Sequence, residues 1–147
     1  MKTIIIIGLL LILINCPGKA QFSQGVKDSA QNEILKLTND WNNAIVNRDS
    51  LSLDKILGPE YSLNGMVSRE IWMNNTLHHF NTDTLKNISQ TVITYYGNAV
   101  KCEGSYFWKA SYDGKPRINS DFDVTDIWVK RNGHWQVILR MSLPKAK

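Results

Sequence analysis

The chain is poor in several things at once, and each shortage removes a class of function. Only two cysteines, Cys16 and Cys102, occur in 147 residues, so no disulfide framework is available and stability must come from a buried core. Of three histidines, His78 and His79 are sequence neighbours, and neighbours on a helix point roughly 100° apart, away from any shared metal. No His-x-x-x-His or Cys-x-x-Cys spacing is present, so no metal site is expected. A Gly-rich phosphate loop and a Gly-x-Ser-x-Gly elbow are missing too, and no cofactor is expected. Neither sign of charge dominates: 17 basic and 13 acidic residues give a net +4, and the basic residues are scattered singly apart from Lys130-Arg131. Without a basic stripe interleaved with aromatics, nucleic acid is not an expected partner.

Long apolar runs are also lacking, with one exception at the start. MKTIIIIGLLLILINCPGKAQ has an early lysine, an apolar run ending at Ile14, a break at Pro17-Gly18 and the small-x-small triplet Gly18-Lys19-Ala20. That order is a secretory signal peptide with cleavage after Ala20, which predicts an exported protein, periplasmic or secreted. The run is only about a dozen residues, where a spanning helix needs roughly 20, so no membrane span is expected. Asn15, where a small residue would be required, speaks against lipid attachment at Cys16. Removing residues 1–20 takes away Lys2, Lys19 and no acid, and lowers the charge from +4 to +2. Residues 21–147 are one domain's worth of chain.

What is present is periodicity. Ile34, Leu37, Trp41, Ala44 and Ile45 recur at spacings of three and four, which predicts an amphipathic helix over 29–47. Ser50 can cap a short helix over 51–57, ended by Gly58-Pro59. Tyr61-Ser62-Leu63 and Met66-Val67 flank Asn64-Gly65, a strong hairpin signal, and Ser68 opens a third helix, REIWMNNTLHHF. Beyond Thr84 the period changes to alternation. Strands are predicted over 88–96, 98–109, 119–130 and 134–142, and their short connections favour an antiparallel meander. Helices first and strands last argue for an α+β fold: one curved antiparallel sheet with three N-terminal helices on its concave face. Cys102 alternates with Val100, Tyr106 and Trp108, which predicts a small buried hydrophobe.

This order of elements resembles the nuclear transport factor 2-like superfamily, the cone-shaped fold shared by ketosteroid isomerase, scytalone dehydratase and the SnoaL polyketide cyclases. DWNNAIVNRDSLSLDKILGPEYSLNG is similar to its opening, YYGNAV to its glycine turn between long strands, and TDIWVKRNGHWQVI to its closing hairpin. The nearest branch is that of small bacterial exported domains without an established reaction. The resemblance implies a pocket between helices and sheet, and a homodimer through the sheet. It also implies positions for chemistry. An isomerase would need a phenol where Trp41 stands and a carboxylate near Asn64-Gly65; only the late-strand acid, Asp126, has a match, so that mechanism is not expected.

Asp126 stands in the middle of a predicted strand, where aspartate is depleted and costly to bury alone. It shares a face with Phe122, Val124 and Trp128. Two roles follow: a pocket-lining acid, or a structural acid tied to the Trp41 indole or to Arg140. Three functions are therefore expected to compete. The first is binding of a hydrophobic or amphipathic small molecule, with Trp41, Tyr61, Trp72, Tyr106, Trp108, Asp126 and Trp128 as lining residues. The second, implied by the resemblance to scytalone dehydratase and the SnoaL cyclases, is a cyclase, dehydratase or isomerase using Asp126 with His78 or His79 as an acid-base pair. The third is a non-catalytic dimerising module.

Overall fold

The computed structural model describes residues 24–146; the expected leader and Cys16 lie outside the described residues. The first helix, α1 (Gln24–Asn47), begins earlier than the periodicity indicated. Its buried stripe of Ala30, Ile34, Thr38, Trp41, Ala44 and Ile45 keeps the three-and-four spacing that packs one face against a sheet. Arg48, at φ 54°, turns the chain out of α1. In α2 (Ser50–Ile56) the cap is Asp49 rather than Ser50, because the Asp49 carboxylate accepts both the Ser52 N–H, at 3.1 Å, and the Ser52 hydroxyl.

Gly58-Pro59 does not end α2; it lies within β1 (Leu57–Leu63), which follows the helix directly. A Cβ on Gly58 would sit 2.9 Å from Ile138 Cγ2, so the glycine admits β1 close to its neighbour. Asn64 and Gly65 take the positive φ expected of the turn, 55° and 67°, and lead into β2 (Val67–Ser68). Ser68 then caps α3 (Arg69–Asn74), whose last turn widens into a π-helical segment, Asn75–His79.

Four long strands follow: β3 (Phe80–Tyr95), β4 (Ala99–Tyr112), β5 (Lys115–Arg131) and β6 (His134–Pro144). The sheet order is β2-β1-β6-β5-β4-β3. The last four strands form the expected antiparallel meander, but β1 runs parallel to β6, so the sheet is mixed at that one pairing. The two strands are separated by everything from Asn64 to Gly133, which is the long connection a parallel pair requires. Bulges in β3 against β4, at Thr82/Thr84, Asn87/Ser89 and Val92/Thr94, and in β5 against β6, at Ile127/Trp128, coil the sheet about the helices.

The core fills the space between α1, α2 and the sheet: Ile34, Trp41, Leu53, Leu57, Tyr61, Val100, Trp128 and Val137 are each at most 1% exposed. Cys102 is buried among them as a free thiol. Burial pushes its pKa up to about 12, so it is the small inert hydrophobe that the alternation predicts.

Candidate functional site

Alternation along β5 turns Val124, Asp126 and Trp128 inward, and register sets Asp126 directly opposite Arg140 on β6. Arg140 Nε donates to Asp126 Oδ1 at 2.8 Å and Nη2 donates to Oδ2 at 2.7 Å, a bidentate pair that is 5% and 1% exposed. The Trp41 ring lies under the guanidinium, 3.8 Å from Cζ to the ring centroid, with Tyr106 at 5.3 Å. Burial alone would push the Arg140 pKa down, but the Asp126 carboxylate more than offsets it, so the guanidinium stays charged. Asp126 is therefore the partner of Arg140; the Trp41 N–H makes no hydrogen bond among the described residues.

Around this pair is an aromatic cluster. Trp41 meets Tyr61 and Trp128 edge-on, with centroids 5.9 and 6.2 Å apart, and tilts against Trp72 at 5.9 Å. The Tyr61 hydroxyl and the Trp128 N–H, like that of Trp41, have no partner among the described residues. Burial raises the pKa of both the Tyr61 and Tyr106 phenols, keeping them neutral donors.

In front of the cluster, the mouth of the cone holds a cavity of about 150 Å³. Trp72, Tyr106, Trp108, Phe122, Leu85 and Ile118 supply apolar wall, and Asn64, Thr76, Arg140 and Ser142 supply polar groups. Most of these polar groups are already engaged. The Tyr106 and Ser142 hydroxyls bond at 2.6 Å, Asn64 accepts the Ser142 N–H at 2.7 Å and donates to its carbonyl, and the Trp108 N–H donates to Thr82.

Of the expected lining residues, Trp72, Tyr106 and Trp108 face this cavity, whereas Trp41, Tyr61, Asp126 and Trp128 stand behind it in the core. His78 and His79 do not meet Asp126. The π-helical turn runs straight into β3, and the Asp113 N–H donates to the His79 carbonyl, which ties the histidines to the β4–β5 turn. There His79 Nδ1 lies 2.9 Å from Asp113 Oδ1 and its ring stacks on Tyr112, while His78 is exposed. Both Asp126 oxygens are occupied by Arg140. No group of three His, Cys, Asp or Glu side chains among the described residues is arranged to hold a metal, and no helix among them is long and apolar enough to cross a membrane.

The lining residues not anticipated are Ile45, Leu63, Asn64, Thr76, Leu85, Ile118, Phe122, Arg140 and Ser142. Arg140 and Ser142 lie two apart on β6, opposite Asp126 and Val124, so alternation combined with hairpin register carried that signal. A wider hollow between α1, α2 and the β5–β6 turn is lined by Glu33, Lys36, Lys55 and Arg131, of which Arg131 bonds Glu60, Lys36 bonds Asp40, and Glu33 accepts from Lys130 and from the Trp135 N–H. We place the site in the cone because there the apolar walls converge on a charged group.

No family model and no curated protein matches the sequence. Solved structures match the fold. A nuclear transport factor 2-like protein from Cytophaga hutchinsonii is 16% identical, superposing on 84% of this chain and 100% of that chain with a TM-score of 0.69. A nuclear transport factor 2-like protein of unknown function in nutrient uptake from Rhodospirillum rubrum is 14% identical over 77% of this chain and 98% of that one, with a TM-score of 0.70. A candidate dehydratase of the same family from Streptomyces avermitilis is 10% identical over 82% and 99%, with a TM-score of 0.63. The chain has the nuclear transport factor 2-like fold.

Proposed function

We propose that this domain binds a small hydrophobic or amphipathic molecule in the mouth of its cone. The observation that carries this reading is the cavity of about 150 Å³ in which Trp72, Trp108 and Phe122 form walls and Arg140 reaches the lining from the core. Aromatic walls with few, fixed polar groups are the usual makeup of a ligand site. Among the described residues no acid-base pair stands beside the cavity: Asp126 is committed to Arg140, and His79 to Asp113. Binding is therefore favoured over a cyclase, dehydratase or isomerase reaction. The leader-like order of residues 1–20 supports reading the binder as an exported protein.

Self-association through the sheet fits the same reading. The sheet face away from the helices carries Phe107, Ile127, Leu139, Met141 and Leu143, the last two 40% and 64% exposed. A second copy on that face leaves the cone open.

Thermal melting against a panel of small apolar and amphipathic compounds tests the binding reading. A ligand of the folded state at 100 times its Kd adds about 2.7 kcal/mol of stability. Ile118→Trp, which fills the cavity, removes that gain. A panel with no stabilising compound, or an undiminished gain in the filled variant, contradicts the proposal.

A further inference from the structure

Arg140 is not spent by its pairing. A guanidinium has three nitrogens, and Asp126 takes Nε and Nη2. Nη1, which the planar fork directs away from Asp126, has no hydrogen-bond partner among the described residues, and Arg140 lines the cavity. Several neighbouring donors are already used: one of the Tyr106 and Ser142 hydroxyls donates to the other, the Asn64 amide donates to the Ser142 backbone, and the Trp108 indole donates to Thr82. Arg140 Nη1 is thus the one charged free donor that the described lining presents to the apolar chamber, beside the neutral Thr76 hydroxyl and Trp72 N–H.

Charge decides what that donor accepts. Asp126 and Arg140 together carry no net charge, and both are more than nine-tenths buried. An incoming carboxylate would meet Arg140 but also Asp126 behind it. It would leave a net negative charge in a poorly solvated place, where stripping water from an ion is costly. A carbonyl, amide or ester oxygen accepts the same hydrogen bond and brings no charge to desolvate. The size of the chamber fits a molecule of a single ring, since an apolar cavity near 150 Å³ suffices for benzene.

Resting on the binding reading above, we infer that the ligand is an uncharged, ring-sized molecule whose carbonyl-type oxygen accepts a hydrogen bond from Arg140 Nη1, with its ring between Trp72, Trp108 and Phe122.

Three probes of one shape separate the terms: acetophenone has ring and acceptor, toluene the ring alone, and benzoate the ring with a charged acceptor. Titrating each into the whole protein, followed by intrinsic tryptophan fluorescence and calorimetry, should show acetophenone binding at least about tenfold tighter than either of the others, the factor for a hydrogen bond of ordinary net strength. The double variant Asp126→Leu with Arg140→Met removes donor and acceptor together and leaves no lone buried charge. It should bind acetophenone and toluene equally. Benzoate binding tightest in the natural protein overturns the inference, as does an acetophenone preference that survives in the double variant. If none of the three binds while a larger apolar dye is taken up by the natural protein and excluded by Ile118→Trp, the ligand class is wrong and the cone remains the site. If nothing enters the cone, the binding reading falls with it.

Discussion

The Arg140 guanidinium is held on its Nε and Nη2 side by the Asp126 carboxylate and lies over the Trp41 ring, 3.8 Å from Cζ to the centroid. Every group in that contact is buried, so removing one partner strands the other. Asp126→Asn keeps the shape but leaves Arg140 charged and uncompensated. The expected loss is about 3 to 5 kcal/mol in chemical denaturation at neutral pH. Replacing both residues by Leu and Met should cost less than either single change. A neutral outcome for Asp126→Asn alone contradicts the pairing.

Gly104 is a second point of sensitivity. A Cβ there would lie 2.1 Å from the Ser89 carbonyl oxygen, across the β3–β4 bulge. Neither backbone can yield without breaking ladder bonds, so Gly104→Ala should destabilise by about 1 to 3 kcal/mol, as overpacked sites do. Faster amide exchange in β3 and β4 than in β6 is the accompanying signature.

Alkaline pH should weaken the fold before it ionises the core. Burial raises the Cys102 thiol from 9.0 to about 12 and also raises Tyr61 and Tyr106 above the ordinary tyrosine value. All three are neutral when protonated, so the unfolded chain loses its protons first. Their stabilisation is intact below pH 9 and declines as pH rises through the interval up to the folded values, by at most about 1.4 kcal/mol per pH unit for each group. Denaturation midpoints measured from pH 7 to 11 check this, and Cys102→Ala should flatten the early part of the decline. The same burial predicts that a thiol reagent at pH 8 labels Cys102 only after denaturant is added.

His78→Ala and His79→Ala should leave ligand binding unchanged, because His79 is held by Asp113 and Tyr112 outside the cavity and His78 is exposed. A large loss of binding in either variant would return the histidines to the site.

Some of this was legible in the residues and some was not, for physical reasons. The stripe of Ile34, Trp41 and Ile45 announces α1, and Asn64-Gly65 announces its turn, because both depend on local geometry. The start of β3 at Phe80 was hidden: bulges at Thr82/Thr84 and Asn87/Ser89 break the alternation by which a strand is recognised. Gly58-Pro59 looked like a helix stop because the close approach of Ile138 that calls for glycine is a tertiary contact. The inward face of β5 was clear, and so was Arg140 as one possible partner of Asp126. What periodicity could not divide was that inward face itself. Trp41, Tyr61 and Trp128 belong to the packed core and Trp72, Tyr106 and Trp108 to the cavity wall, a boundary set by depth in the cone rather than by any repeat.

The central claim, that the cone is the binding site, is tested most directly by the indole N–H signals in a two-dimensional nitrogen–proton spectrum during titration with acetophenone. Trp72 and Trp108 line the cavity, whereas the Trp135 N–H is fixed to Glu33 at 2.8 Å beside the outer hollow. The account predicts saturable shifts of the Trp72 and Trp108 signals with Trp135 unmoved; shifts confined to Trp135, or none at any indole, would contradict it.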